Sequence, residues 1–161
     1  MAMLKMLYVT NLPEAAKIAD EAKVDRVVID LETMGKAQRQ KNMDSLKSQH
    51  DSSDVAKIKP LLKTSRMHVR VNPVNDNLQY EIDAVIDGGA DIIMLPMFKN
   101  AKEVDTFIKL VNSRTKVCLL FETHDAVCNI NEILNLGGID EVHIGVNDLV
   151  FSEAHMFCKN L

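Results

Sequence analysis

The chain has 161 residues, 47% of them hydrophobic, which is enough for one folded domain over residues 1–161 and argues against disorder. Its 19 basic and 23 acidic residues are mixed along the chain, and this pattern argues against a nucleic-acid or membrane surface. Three cysteines without paired spacing argue against a disulfide framework. No apolar run is long enough for a bilayer span or a secretion signal, so the expected location is the cytoplasm.

Short runs rich in β-branched residues alternate with segments whose apolar residues recur at helical spacing. The six predicted strands cover residues 4–10, 26–31, 67–71, 91–95, 116–121 and 141–144. From the third strand onward they start about 24 residues apart, which suits one strand, one crossover helix and two loops. This spacing predicts an α/β fold with a parallel sheet.

The helices between the later strands are predicted from apolar stripes and from start and stop signals. The stripes are Leu78, Ile82, Val85 and Ile86 after strand 3, Val104, Phe107, Ile108 and Val111 after strand 4, and Val127, Ile130 and Leu134 after strand 5. Asn100 and Glu103 predict a capping box at the second of these helices. Gly-Gly pairs at 88–89 and 137–138 are expected to end the first and the third.

The interval between strands 2 and 3 is longer than the others. The extra length is a polar insert over residues 33–53, which predicts a long surface loop. Loops of this length in compact domains are either functional or mobile, and the sequence leaves both open.

Charged side chains follow the carboxyl ends of four predicted strands, where parallel α/β folds place their reactive groups. Asp30 and Glu32 end strand 2, Arg70 ends strand 3, and Glu122 and Asp148 follow strands 5 and 6. Two carboxylates converging opposite an arginine predict a site for Mg²⁺ or Mn²⁺ and an anionic substrate. Such a cation on a 2-oxo acid would stabilise the enolate made when a carbon–carbon bond breaks.

Each of these carboxylates also has a simpler interpretation. Glu122 alone could begin a loop, and Asp148 alone could be a turn residue. Asp30 lies within an apolar strand, where a carboxylate without partners costs several kcal/mol, so it needs either a functional or a structural partner. Cys118 lies within an apolar run and is expected to be a core residue.

Five segments, in order along the chain, resemble the HpcH/HpaI aldolase and citrate lyase β-subunit family. They are VIDLE at 28–32, VRVN at 69–72, GADIIMLPM at 89–97, FET at 121–123 and IGVNDL at 144–149. The resemblance implies a TIM-type (β/α)8 barrel. It also implies a divalent-metal-dependent carbon–carbon lyase acting through an enolate on a small 2-oxo acid or an acyl-CoA-related substrate.

The resemblance also implies roles for particular residues. Glu122 and Asp148 match the family's metal ligands, and Arg70 matches its substrate-binding arginine. The backbone of Gly145, Val146 and Asn147 is expected to hold the substrate carboxylate.

For the chemistry, Glu32 matches the acidic motif of strand 2 and is expected to take part in catalysis. Aldolase members use a histidine shortly after this motif as the base, usually with an aspartate four residues on. The similar pair in this chain is His50 with Asp54, displaced by the polar insert.

Two departures from the family pattern limit these expectations. Thr33 follows Glu32 where citrate-lyase members have aspartate, which makes an acyl-CoA substrate less secure. The segment 150–161 departs from the pattern, and strands 7 and 8 have no counterpart. The sequence therefore predicts a truncated barrel of about six βα units, whose activity it leaves open and whose open edges favour homo-oligomers.

Two alternatives come from other classes of protein. One is a non-catalytic remnant or interaction module that pairs through its exposed sheet edges. The other is an open, doubly wound parallel sheet that binds a nucleotide, which suits the chain length but lacks a Gly-rich phosphate-binding signature. The order of the strands separates the doubly wound sheet from the barrel.

Overall fold

A computed structural model describes residues 5–34 and 50–150, in which six strands alternate with helices. The strands are β1 (Leu7–Val9), β2 (Arg26–Asp30), β3 (Arg66–Arg70), β4 (Ile92–Leu95), β5 (Lys116–Phe121) and β6 (Glu141–Ile144). The helices are α1 (Pro13–Glu21), α2 (Ser53–Ile58), continued by a 3₁₀ turn (Lys59–Leu61), α3 (Leu78–Asp87), α4 (Ala101–Val111), α5 (His124–Cys128) and α6 (Ile130–Leu134). Residues 146–150 are also helical.

The strand order decides between the two predicted architectures. All six strands are parallel, and each pairs with its neighbours in the sequence, in the order β1-β2-β3-β4-β5-β6. In a doubly wound sheet the order of the strands reverses at a switch point. Here the order runs from β1 to β6 without a reversal. Arg26 on β2 forms an ion pair with Glu141 on β6, so the sheet curls around its interior. The incomplete barrel is therefore confirmed, and the open doubly wound sheet is wrong.

The two faces of the curled sheet bury different side chains. Residues of the outer face, such as Val69, Ile93 and Leu119, are fully buried beneath the helices. The inner face has a smaller buried cluster, formed by Ile92, Met94, Cys118 and Leu120. The prediction that Cys118 is a core residue is confirmed. Burial raises the pKa of its thiol to about 12, so the thiol stays protonated at neutral pH.

The predicted start of α4 is confirmed. The backbone N–H of Glu103 donates to Asn100 Oδ1 at 3.0 Å. The Glu103 carboxylate accepts the N–H of Lys99 at 2.7 Å, so the return bond reaches one residue before the cap rather than the cap itself. The first contact satisfies one of the backbone donors that the first turn of the helix leaves unpaired.

The prediction that one helix after β5 buries Val127, Ile130 and Leu134 is wrong. Their side chains are 38%, 37% and 48% exposed. The helix is interrupted at Asn129, whose side-chain amide donates to the carbonyl oxygens of residues 99 and 125, both at 3.0 Å. The break between α5 and α6 changes which positions face the core, and Ile133 is the fully buried residue of α6.

The repeated Gly-Gly-x-Asp motif has a repeated structural role. Gly89 and Gly138 have φ angles of 96° and 86°, which favour glycine. Two residues later, Asp91 and Asp140 accept backbone N–H groups of β3 and β5 at 2.7 and 2.8 Å. Each motif therefore turns the chain and joins the next strand to the preceding one.

Parts of two predicted segments lie outside the described residues. They are 35–49 of the polar insert over 33–53 and 151–161 of the off-pattern segment 150–161. The described parts of the insert join β2 at one end and lead into α2 at the other. Among the helices of the described ranges, none has the length and apolar character that a membrane span requires.

Candidate active site

One cavity of about 490 Å³ lies inside the curled sheet and extends to the carboxyl ends of the strands. Of the residues predicted for the site, its lining includes Asp30, Arg70, Glu122, Gly145, Val146, Asn147 and Asp148. The structure thus brings together residues from β2, β3 and the segments after β5 and β6. This is the end of the sheet at which barrel enzymes carry their catalytic groups.

Arg70 is held by carboxylates of β2. The register places Asp30 directly beside Arg70, and Nε and Nη2 donate to the two oxygens of Asp30 at 2.9 and 2.7 Å. Nη1 lies 3.2 Å from Glu32 Oε2, and Glu32 is 3% exposed. This arrangement supplies the partner that a carboxylate at position 30 requires.

These contacts also fix the charge of the arginine. Burial by itself would lower the pKa of Arg70. The hydrogen bonds and charge of Asp30, together with the charge of Glu32, more than offset burial and raise the pKa above its ordinary value. The cavity therefore contains a permanent, oriented positive charge.

Glu122 follows β5 and is 2% exposed. Its Oε1 accepts the backbone N–H of Met97 at 3.1 Å, and Met97 has a φ of 55°, a strained value for a residue with a side chain. Burial and the charge of Glu32 raise the pKa of Glu122 to about 7. Asp148 adds to this increase, whereas Arg70 opposes it.

Gly145 allows the chain after β6 to approach Glu122. A Cβ atom at this position would lie 2.8 Å from Glu122 Cβ and 3.0 Å from Oε2. The Gly145 N–H donates to the carbonyl of Phe121 at 2.9 Å, which fixes the segment against the end of β5. A larger residue at 145 would displace the carboxylate, so the glycine keeps Glu122 in place.

His50 and Asp54 do not contact this cavity. His50 Nδ1 accepts the backbone N–H of Asp30 at 2.8 Å, and the ring lines a separate pocket beside α3 with Tyr80 and Glu81. Asp54 Oδ2 accepts from the side chain of Asn11 and from the backbone N–H of residue 51, both at 2.9 Å. The structure therefore places the two predicted partners in different contacts.

A family model described as HpcH/HpaI aldolase/citrate lyase matches residues 5–156. The chain belongs to the HpcH/HpaI family. The match runs past Leu149 into the segment 150–161. The HpcH/HpaI family includes carbon–carbon lyases.

Solved structures share the fold at low sequence identity. The crystal structure of citrate synthase SbnG has a TM-score of 0.72 at 19% identity, covering 93% of this chain and 63% of that one. An HpcH/HpaI aldolase/citrate lyase family protein from Burkholderia cenocepacia has a TM-score of 0.71 at 18% identity, covering 94% of this chain and 66% of that one. Macrophomate synthase has a TM-score of 0.69 at 14% identity, covering 93% of this chain and 58% of that one.

This chain spans less than two thirds of the length of each of these three proteins. A search of curated proteins found no match.

HpcH/HpaI members typically depend on a divalent metal ion. Glu122 and Asp148 line the same cavity, and the charge of Asp148 acts on Glu122. Within residues 5–34 and 50–150, no group of three or more His, Cys, Asp or Glu residues is arranged to hold a metal. Two carboxylates suffice for Mg²⁺, which keeps several water ligands in proteins.

Asn72 is a residue of the site whose role sequence reasoning missed. Its Oδ1 accepts the backbone N–H groups of Thr33 and Met34 at 2.9 and 3.2 Å. Its Nδ2 donates to the carbonyl of Leu31 at 3.0 Å and to Glu81 at 2.8 Å. Asn72 therefore fixes the chain on both sides of Glu32. The signal in the sequence was its place two residues after Arg70, just past the carboxyl end of β3.

Proposed function

We propose that this chain carries the substrate and metal site of a divalent-metal-dependent carbon–carbon lyase. In this proposal Glu122 and Asp148 hold Mg²⁺ or Mn²⁺, and Arg70 binds a small 2-oxo acid or an acyl-CoA-related substrate. The observation that carries it is the convergence of these three side chains in one cavity of about 490 Å³. Membership of the HpcH/HpaI family supports the reaction class.

The cation, when bound, would draw electron density from the oxo group of the substrate. Arg70 supplies a second positive charge in the same cavity. A guanidinium has five N–H groups, and three contacts with Asp30 and Glu32 hold it in place. The other donors are then available to a substrate carboxylate. Glu32 acts in this scheme by positioning Arg70.

The backbone of Gly145, Val146 and Asn147 is proposed to hold the far side of the substrate carboxylate. All three residues line the cavity beside Asp148. For His50 to act as the base, its contact with Asp30 would have to break. Its Nδ1 already accepts a backbone N–H, so Nε2 carries the proton of the neutral ring.

Pyruvate binding measured by calorimetry tests this proposal. We expect pyruvate to bind only in the presence of Mn²⁺, and Arg70→Lys to weaken binding by about tenfold or more, because lysine cannot form the paired contacts. Arg114→Lys is the matched control, since Arg114 pairs with Asp83 in an exposed ion pair away from the cavity. Pyruvate binding that needs no Mn²⁺, or that Arg70→Lys leaves unchanged, would contradict the proposal.

A second candidate function is an interaction module that pairs through its exposed sheet edges. The exposed apolar residues of β6 favour it, with Val142 and Ile144 at 48% and 61% exposure. The two functions are compatible if the partner completes the wall of the cavity.

A further inference from the structure

The cavity extends past Arg70 toward the amino ends of the strands. Its lining includes His68, which comes two residues before Arg70 on the same inner face of β3. The ion pair of Arg26 and Glu141 lines a separate pocket at the amino ends of the strands and not this cavity. The part of the cavity between Arg70 and this ion pair is its inner end.

The His68 ring lies among apolar side chains at the inner end. The register places Val28 of β2 and Ile92 of β4 directly beside it, and neither side chain can form a hydrogen bond. His68 is 0% exposed, whereas His143, the other histidine of the cavity lining, is exposed. Solvent can therefore satisfy the ring of His143 but does not reach the ring of His68 from outside.

The two ring nitrogens of His68 have different roles. Nδ1 lies 3.2 Å from Nη1 of Arg26, and Nδ1 accepts in this contact because a guanidinium only donates. Burial, followed by the charges of Arg26, His143 and Arg70, lowers the pKa of His68 to about 3, so the ring is neutral near pH 7. Nε2 then carries the ring proton and is a hydrogen-bond donor, not a base.

This donor lacks an acceptor in the protein. Nε2 of His68 is buried, and no atom of the described residues forms a hydrogen bond with it. Buried donors are costly unless they pair with protein, water or a ligand. The two arginines whose charges act on the ring, Arg26 and Arg70, already pair with carboxylates, so a second carboxylate of a ligand would compete with those pairs. The acceptor that fits is a neutral oxygen.

The spacing along β3 sets the length of a ligand that reaches this donor. Two residues of a strand rise by about 6.6 Å, which is the offset between His68 and Arg70 along the sheet. A three-carbon acid held by Arg70 is too short for this offset, whereas an acid of about six carbons can span it.

We propose that the substrate is a 2-oxo acid of about six carbons with a neutral oxygen near its far end, and that His68 Nε2–H donates a hydrogen bond to this oxygen. The assignment rests on the proposed function, in which Arg70 holds the substrate carboxylate. His68 is then a specificity-determining residue. The far oxygen of the substrate would take the place of a water molecule on Nε2–H.

Calorimetry with three acids in the presence of Mn²⁺ tests this assignment. The probe 2,5-dioxohexanoate has the far oxygen, 2-oxohexanoate has the same carbon chain without it, and pyruvate is too short to reach His68. Neither longer acid has an oxygen at the fourth carbon, where an aldol-type cleavage would need one, so binding is measured without reaction. The quantity compared is the Kd of 2-oxohexanoate divided by the Kd of 2,5-dioxohexanoate.

Two variants of His68 separate its two nitrogens. His68→Asn keeps an acceptor for Arg26 near the position of Nδ1 but has no donor at the position of Nε2. We expect it to lower the ratio of the two Kd values by about fivefold or more, which is the effect of one hydrogen bond, and to leave pyruvate binding unchanged. His68→Gln has an amide N–H near the position of Nε2 and should keep most of the ratio. His143→Asn is the matched control and should keep all of it, since His143 is exposed.

Nuclear magnetic resonance of the original chain gives a second readout that needs no variant. The Nε2–H resonance of His68 should shift on addition of 2,5-dioxohexanoate and not on addition of 2-oxohexanoate. The absence of this difference would overturn the assignment, because the donor would then pair with water only.

Four calorimetric results would also count against one or both proposals. An equal ratio in the original chain and in His68→Asn, or an equal fall in His143→Asn, would overturn the role of His68. Tighter binding of 2-oxoglutarate, in which a carboxylate replaces the far acetyl group, would overturn the neutral oxygen if His68→Asn abolished it. Loss of pyruvate binding with the ratio retained would contradict the proposed function alone, and failure of all three acids to bind would contradict both.

Discussion

Replacing Arg70 by methionine is expected to lower the free energy of unfolding by about 3–5 kcal/mol, because buried carboxylates would lose their positive partner. Asp30 and Glu32 have side chains that are 11% and 2% exposed, and both contact the guanidinium. Urea denaturation monitored by circular dichroism measures the change. Methionine keeps most of the side-chain length, so the loss reports the charge and its hydrogen bonds rather than a cavity.

Arg114→Met is the control for Arg70→Met. Arg114 pairs with Asp83 at 2.7 Å, but both side chains are more than a third exposed, and such pairs contribute less than about 1 kcal/mol. The difference in the free energy of unfolding between Arg70→Met and the original chain should become smaller as the pH falls. Protonation removes the negative charges of Asp30 and Glu32, which have lost their positive partner. Equal destabilisation by the two variants would contradict the ion-pair network described for the site.

Glu122 gives the second large expected effect, in the metal-free protein. Burial raises its pKa from an ordinary 4.5 to about 7, so ionisation is less favourable in the folded chain than in the unfolded chain. The free energy of unfolding should therefore fall as the pH rises from 4.5 to about 7, and then level off. Glu122→Gln removes this dependence. The free energy of unfolding of the variant should exceed that of the original chain by about 3 kcal/mol at pH 8 and match it near pH 4.

Stability curves at pH 4, 6 and 8 in the presence of a chelator measure this difference. Glu132→Gln is the control, because Glu132 is an exposed carboxylate on α6, outside the cavity. A Glu122→Gln variant less stable than the original chain at pH 8 would contradict the assignment, since it would mean that the folded site stabilises the carboxylate without a metal. A gain in the free energy of unfolding at pH 8 is expected if the site binds the Glu122 carboxylate for a cation rather than for stability.

The alternation of strands and helices could be predicted because local signals specify it. Runs of β-branched residues gave β5 and β6 with their observed bounds, and Asn100 marked the start of α4. The positions of Glu122 and Asp148 beside one cavity also followed from the sequence, since the carboxyl ends of neighbouring parallel strands meet at one edge.

Contacts that depend on register or curvature could not be predicted in this way. The pairing of Arg70 with Asp30 requires the register between β2 and β3, across the polar insert, and a single sequence does not fix that register. The Arg26–Glu141 ion pair joins strands that are not neighbours, so it depends on how far the sheet curls. The interruption at Asn129 depends on a contact with the loop before α4, which helical periodicity does not reveal.

The polar insert explains the different placement of His50. The sequence pattern relates His50 to Asp54 by their spacing, but the chain turns before α2. His50 then meets the backbone of Asp30, while Asp54 meets Asn11 and the turn itself. The spacing of two residues along a loop does not determine whether their side chains meet, whereas the spacing along a strand determines which residues share a face.

The most direct test of the site is Mn²⁺ binding, measured by calorimetry at pH 8, for the original chain and for Glu122→Gln, Asp148→Asn and Asp125→Asn. Asp125 is an exposed carboxylate on α5, next to the same end of the sheet, and serves as the control. Removing a metal-binding carboxylate should weaken Mn²⁺ binding by about tenfold or more at 122 and at 148. We expect Asp125→Asn to bind Mn²⁺ as the original chain does. Unchanged affinity in both Glu122→Gln and Asp148→Asn would contradict the proposed metal site.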